Sequence, residues 1–341
     1  MKKTALVTGI SGQDGAYLSK FLLKKNYRVI GTDRRSARNT NWRLRYLGID
    51  KKIIKEEIEL GEINEINRIF KKYKIDEVYN FAAQSFVSTS FNSPLTTSDV
   101  TALGPLRILE VIRNQKNNIK FYQASSSEMY GKVIETPQNE KTPFYPRSPY
   151  AVSKLYGHFM VRNYRESYNM FATSGILFNH ESPLRGEEFV TRKITLGLSK
   201  IKKKELNCLE LGNIYAKRDW GFAGDYVEAI WKMMQQKSPD DFVISTGKTY
   251  SIKNFVNESI KCLGMKCKWK GKGLKEVLIN TENNKVIIKI NKKFFRPAEV
   301  DLLQGNSSKA KKIIKWKPKV NFKQLVKMMV ESDFYRSEIK F

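Results

Sequence analysis

Cysteine is scarce: Cys208, Cys262 and Cys267 are the only three in 341 residues. The number is odd and no spacing suits a metal ligand set, which argues against a disulfide-framed extracellular domain and against a zinc module. A reduced, intracellular and cytoplasmic protein without a metal is the expectation. Long apolar runs are missing too. Nothing approaches the ~18 residues needed to span a bilayer, and the opening MKKTALV breaks at Gly9 before it could act as a secretory segment. No membrane partner is expected. There is no internal repeat and no low-complexity linker. Acidic side chains are also in deficit, 34 Asp and Glu against 62 Lys and Arg, for a formal charge of +28.

Such a charge first raises nucleic-acid binding. The lysines, however, are scattered through KKN, KKYK, KKK, KCKWKGKGLK and KAKKIIKWKPK instead of forming one basic arm interleaved with aromatics. A lysine-rich surface that attracts anionic substrates is the plainer reading, with no nucleic-acid partner. At 41% hydrophobic and 12% aromatic residues the composition is that of a folded enzyme. The length suits one large α/β domain and a smaller lobe.

Along the first half, short apolar runs alternate with amphipathic stretches. Strands are expected at 4–8, 27–32, 77–83, 120–125 and 172–178, with helices at 16–25, 62–72, 103–112 and 148–168. Strands separated by helices imply a parallel sheet covered on both faces. The fold class expected is therefore α/β, a Rossmann-type doubly wound sheet with a smaller C-terminal α/β substrate-binding lobe. The large domain would span 1–178, with the chain returning to it at about 213–246. The lobe would take 179–212 and 247–341, with a hairpin at KVIIKI (285–290) and late helices near 307–315 and 321–333.

TALVTGISGQDGAYL sets Gly9, Gly12 and Gly15 between a strand and a helix. The first permits a tight turn, the second lets backbone approach a pyrophosphate, and the third lets helix pack on strand. The helix N-terminus would face the phosphates with its partial positive charge. The second strand ends in Asp33, Arg34, Arg35 and Ser36. An acid there suits a free ribose hydroxyl and arginine suits a 2′-phosphate; two guanidiniums and a serine favour NADP. Asp33 would then serve as a partner for one of the arginines.

SPYAVSKLYG carries Tyr150 and Lys154 four apart, on one helix face. A tyrosine titrating near 10 is a poor base at neutral pH; lowering it by ~3 units takes ~4 kcal/mol of preference for the phenolate. Lys154 and a nicotinamide cation could supply this. Upstream, ASSSEMYG sets Ser126 and Glu128 at a strand end. A tyrosine-lysine pair that oxidises a sugar C4 hydroxyl makes a ketone, which acidifies the proton on C5. A carboxylate beside C5 could take that proton and let the C6 hydroxyl leave as water. A simple reductase or epimerase has no such need of Glu128.

These residues resemble the GDP-mannose 4,6-dehydratase family of extended short-chain dehydrogenase/reductases over nearly the whole length. The segments that carry the resemblance include TGISGQDGAYL, DRRS, NFAAQSFV, ASSSEMYG, SPYAVSKLYG, GILFNHESPLRGEEFVTRKI, RDWGFAGDYVEA and FFRPAEVD. The resemblance implies Ser126, Glu128 and Tyr150 as the catalytic set, with Lys154 as cofactor partner. It implies an NADP shell of Gly9, Ile10, Ser11, Gly12, Gln13, Asp14, Gly15, Arg34, Arg35, Ser36, Glu59, Leu60, Phe81, Ala82, Ala83, Gln84, Ser85, Tyr150, Lys154, His180 and Arg185. For GDP-D-mannose it points to Ser85, Ser126, Glu128, Tyr150, Asn179, Lys193, Arg218, Arg296 and Glu299. It further implies a homodimer or homotetramer, with the loop from Arg34 to Arg45 taking part in subunit contacts. Three positions depart from the family pattern: Ser126 replaces a threonine, Glu59 an aspartate and Asp33 an apolar residue.

Overall fold

The five uncharged residues of TALVT form β1 (Thr4–Thr8), buried along its whole length. A strand is buried on both faces only where helices cover both sides of its sheet. In the computed structural model, which describes residues 2–37, 39–295, 298, 300 and 302–336 (the last for its backbone alone), they do. β1 lies in a seven-stranded sheet with β2 (Arg28–Asp33), β3 (Ile54–Glu57), β4 (Glu77–Asn80), β5 (Lys120–Ser126), β6 (Ala172–Leu177) and β7 (Phe242–Ile244). The spatial order is β3-β2-β1-β4-β5-β6-β7 and every neighbouring pair is parallel. This is the Rossmann-type doubly wound sheet that the alternating pattern implies. Because the order reverses between β1 and β4, the loops leaving their C-terminal ends diverge and open a crevice.

Side-chain alternation along β1 feeds two cores. Ala5 and Val7 pack with Leu18 and Leu22 of α1 (Gln13–Lys24) and with Ile230 and Met233 of α6 (Ala223–Met234). Leu6 points the other way, toward Ile66 and Ile69 of α2 (Ile63–Lys72), Ile108 of α3 (Gly104–Arg113) and Val161 of α4 (Pro149–Tyr168). Ala310, Ile314 and Trp316, from the helix Ser308–Ile313 and the residues after it, join the α1–α6 core.

A second sheet orders Cys267–Lys270, Val277–Asn280, Val286–Ile290 and Leu209–Leu211. The KVIIKI hairpin is present as the antiparallel pairing of Val277–Asn280 with Val286–Ile290. This sheet shares a core with α5 (Val190–Lys202), α7 (Ile252–Cys262) and α8 (Phe322–Arg336) through Ile194, Leu198, Phe255, Leu325 and Met329. The pattern gave no warning of β3. IKEE alternates half-buried and exposed at the sheet edge, so only one of its faces carries a hydrophobic signal.

Candidate active site

Nearly all the site residues lie beyond the C-terminal ends of the large sheet. After β1, Gly9 adopts φ +68° and donates its N–H to Thr32 O at 2.8 Å. A Cβ at Gly9 would lie 3.0 Å from Ala82 N, and one at Gly15 would lie 2.4 Å from Gly9 O. Gly12 caps α1 without a side-chain bond, leaving first-turn N–H groups directed at the crevice. A cavity of about 220 Å³ behind the loop is lined by Gly9, Glu59, Leu60, Ala82, Ala83 and Gln84. A wider cleft of about 770 Å³ runs outward past Ile10, Arg34 and Ser36. Arg35 and Ser85 are exposed, and Phe81 is half-buried.

Asp33 is not held by its neighbouring arginines. Its Oδ2 accepts the Ser11 N–H at 3.0 Å, across the glycine loop. Burial pushes its carboxyl up despite the Ser11 hydrogen bond and the nearby Arg43 and Arg34. A backbone donor needs no side-chain motif, so sequence offers no sign of this partner.

The twenty-residue helix α4 starts where Ser148 Oγ accepts the Ala151 N–H at 3.1 Å, with Pro149 in its first turn. That start fixes the azimuth of Tyr150 and Lys154, 8% and 4% exposed. Opposite them β5 ends in Ser126, whose Oγ accepts the Glu128 N–H at 3.2 Å and so bends the chain into the short turn Ser127–Met129. The phenol of Tyr150 is pushed up to about 12, first by burial; Glu128 pushes the same way, while a hydrogen bond from Ser126 and the charge of Arg185 oppose. The lowering expected from the helix spacing invokes Lys154 together with a nicotinamide cation; in the protein alone burial prevails. Burial brings the ammonium down to about 8, and Nζ donates to Ala124 O at 2.7 Å, lying 5.9 Å from the Tyr150 ring centre. Ser126, Glu128, Tyr150 and Lys154 are thus brought together, with the phenol held neutral by the protein alone.

Beneath them sits an ion pair. His180 Nδ1 faces Phe178 O at 2.8 Å and Nε2 faces Asp14 Oδ2 at 2.8 Å. A carbonyl and a carboxylate only accept, so both ring nitrogens carry protons and the ring is an imidazolium. Burial opposes that charge, but Asp14 outweighs it and the pKa of His180 is raised; that of Asp14 is lowered, against its own burial, by His180 and Arg185. The imidazolium stacks on buried Tyr226, ring centres 4.8 Å apart. Gln13 Nε2 donates to His180 O at 3.0 Å and Ser182 Oγ to Gln13 Oε1 at 2.7 Å. Arg43, no part of the expected site, donates to both Ser11 O and Leu184 O, at 3.0 and 2.6 Å. The glycine loop and the 180–185 segment are therefore bolted together.

That segment also walls a cleft of about 570 Å³, where Asn179, Arg185, Lys193 and Arg218 converge among Phe86, Phe189, Trp220 and Phe294. Asn179 Oδ1 is buried there without a hydrogen-bond partner. Arg218 is 7% exposed and donates to Lys217 O at 3.0 Å. Lys193 Nζ rides 3.6 Å from the Phe294 ring centre and Arg185 the same distance from Phe189. Arg296 and Glu299 fall outside the described residues. Among those described, no cluster of acidic, histidine or cysteine side chains could hold a metal, and no helix is long and apolar enough to cross a membrane.

A parallel sheet with a glycine turn at its switch point defines a dinucleotide-binding fold, and a tyrosine and a lysine one helical turn apart stand beside it here. Solved structures bear out that fold. The chain superposes on a dTDP-glucose 4,6-dehydratase from Bacillus anthracis in complex with NAD, TM-score 0.81 at 20% identity over 98% of each chain. It also superposes on RMD from Pseudomonas aeruginosa complexed with NADPH, TM-score 0.76 at 19% identity over 98% and 99%. Sequence goes further. Residues 6–329 match the family described as GDP-mannose 4,6 dehydratase. Identity reaches 52% to the GDP-mannose 4,6 dehydratase of Drosophila melanogaster, over 97% of this chain and 86% of that protein. It is 48% to that of Vibrio cholerae, over 98% and 94%. The chain belongs to the GDP-mannose 4,6 dehydratase family, enzymes of the hydro-lyase class.

Proposed function

We propose that this chain dehydrates GDP-D-mannose to GDP-4-keto-6-deoxy-D-mannose with NADP as a resident cofactor, the entry to GDP-L-fucose and related deoxysugars. The cradle fits a dinucleotide on its own geometry, since a Cβ at Gly9 or Gly15 would collide with backbone. Arg34 and Ser36, at the mouth of the outer cleft, suit a 2′-phosphate, and Asp33 is already engaged by Ser11. Bound there, the nicotinamide would accept a hydride from C4 of the hexose and deliver one to C6.

The protein's own groups handle the protons. Tyr150 takes the proton of the C4 hydroxyl, which requires cations near the phenol to bring it down from about 12; Arg185 already opposes the rise, and Lys154 with the nicotinamide cation would join it. Ser126 orients that hydroxyl by turning to it the proton it offers the phenol in the free protein. With C4 a ketone, the C5 proton is acidic, and Glu128 removes it. The carboxyl so formed returns the proton to the departing C6 oxygen, releasing water. The proton that Tyr150 holds then restores C5–H. Hydrogens and charge balance with no external reductant. In the nucleotide-sugar cleft, Lys193 and Arg218 are matched to a diphosphate, and Asn179 Oδ1 is a buried acceptor awaiting a donor.

The observation that carries this reading is that Ser126 at the end of β5 accepts the Glu128 N–H at 3.2 Å and hydrogen-bonds the Tyr150 phenol, which Glu128 also pushes up: an acid-base carboxylate stands beside a proton-transferring tyrosine. Incubation with GDP-mannose and NADP, followed by product mass, tests it. Loss of one water is expected. An isobaric product would mean epimerisation, and a loss of two hydrogens with NADPH formed would mean simple oxidation. A homodimer or homotetramer belongs to the same reading by resemblance, and a cytoplasmic setting belongs to it because it suits three free cysteines.

A further inference from the structure

His158 has no part in the chemistry above, yet it lies one helical turn beyond Lys154 on the same face of α4 and is 4% exposed. Its Nδ1 lies 3.1 Å from the hydroxyl of Ser125, itself 3% exposed. Ser125 follows Ala124, whose carbonyl accepts from Lys154 Nζ at 2.7 Å. Two consecutive residues at the end of β5 are thus tied to two residues a turn apart on α4. One rung ends on the ammonium and the other on the imidazole. We propose that His158 is a positioning residue for Lys154: the His158–Ser125 rung fixes the Ala124–Ser125 peptide, and with it the carbonyl that sets where the Lys154 ammonium stands relative to Tyr150.

An imidazole suits this post. It is neutral in its buried place, since burial lowers its pKa against the pull of Asp241, and Arg165 and Arg162 add to the lowering. It therefore adds no second cation beside Lys154. The edges of Phe144 and Phe159 hold the ring at 5.5 and 5.7 Å between centres, which fixes the direction in which Nδ1 points. A single hydrogen bond between a hydroxyl and a ring so confined specifies orientation at small entropic cost.

The inference rests on the proposed dehydration for its kinetic test, so a second readout is independent of turnover. His158→Leu and Ser125→Ala are each expected to lower kcat roughly tenfold while KM for GDP-mannose stays within about twofold. The double variant should be no worse than either single one, because both remove one rung. His158→Asn, whose amide stands where Nδ1 does, should recover most of the rate. The Nδ1 nitrogen resonance of His158 should shift in Ser125→Ala. Additive losses in the double variant, or His158→Asn no better than His158→Leu, would overturn the proposal. Should the parent release no water from GDP-mannose, the proposed function fails, and the resonance decides alone: an Nδ1 signal unmoved by Ser125→Ala sinks the rung.

Discussion

The two ends of the crevice are made of different materials. At the dinucleotide end the backbone forms the site: a positive-φ glycine, a glycine N-cap and a helix start, all within residues 9–15. At the nucleotide-sugar end side chains form it, with Asn179 after β6, Lys193 on α5 and Arg218 on the short strand Lys217–Asp219 reaching into one cleft. A backbone site tolerates no added atom, whereas a side-chain site tolerates the loss of one member. The proposed catalytic residues stand at the junction of the β5 end with α4, and the chemistry proposed for them leaves neither kind of redundancy.

The largest effect is accordingly expected at that junction. Glu128→Gln keeps the size and most of the hydrogen bonding of the side chain but removes the base. It should lower kcat by about 10³-fold, within the range general acid-base catalysis supplies, with affinities for NADP and GDP-mannose nearly unchanged. Exchange of the C5 proton with deuterated solvent, followed by NMR, reads the step directly. Exchange at the parent rate would remove Glu128 from its assigned role.

Next comes the backbone end. Gly15→Ala places a methyl 2.4 Å from Gly9 O and 2.9 Å from Ile10 Cα, so loop or helix must shift. Overpacking of this sort costs about 1–3 kcal/mol, and the dissociation constant for NADP should rise at least tenfold, measured by calorimetry. Lys193→Ala is the counterpart at the other end. It should weaken GDP-mannose about tenfold, the worth of one charged contact to phosphate, and leave NADP binding alone. If each variant impaired both ligands equally, the division between backbone and side-chain ends would not hold.

The same division explains what could be read in advance. The glycine turn, Tyr150–Lys154 and Ser126–Glu128 are contiguous motifs, and five of the seven strands follow from alternating runs; β3, half-buried and exposed by turns at the sheet edge, and the three-residue β7 do not. Asn179, Lys193 and Arg218 carry no local pattern; only family resemblance names them, and the fold brings them together. The Asp33–Ser11 and Arg43–Leu184 contacts are bonds from or to backbone atoms, which no side-chain motif announces. What the protein alone does to the Tyr150 phenol is not legible in the spacing, for a physical reason. Spacing on a helix says that Lys154 shares a face with the phenol, but not that burial outweighs it or that a carbonyl claims the ammonium.

The smallest expected effect concerns the bolt between the two ends, the Asp14–His180 pair. His180 has a folded pKa above its ordinary 6.5, so its stabilising contribution is complete below 6.5 and fades as pH rises through the folded value. Asp14 has a folded pKa below its ordinary 3.8, so its contribution is complete above 3.8 and fades as pH falls through the folded value. Both are at full strength only between these two limits. An Asp14→Asn, His180→Gln double variant keeps a neutral hydrogen-bonded pair and loses both titrations. The parent's advantage over it in urea unfolding should therefore be greatest between pH 3.8 and 6.5 and decline gently on either side. A difference that instead rises from about pH 5 toward 6.5 and stays level above it, across the range where histidine titrates, would mean that the imidazole carries one proton throughout in the folded state. The coupling of loop to cleft would then rest on Gln13, Ser182 and Arg43 alone.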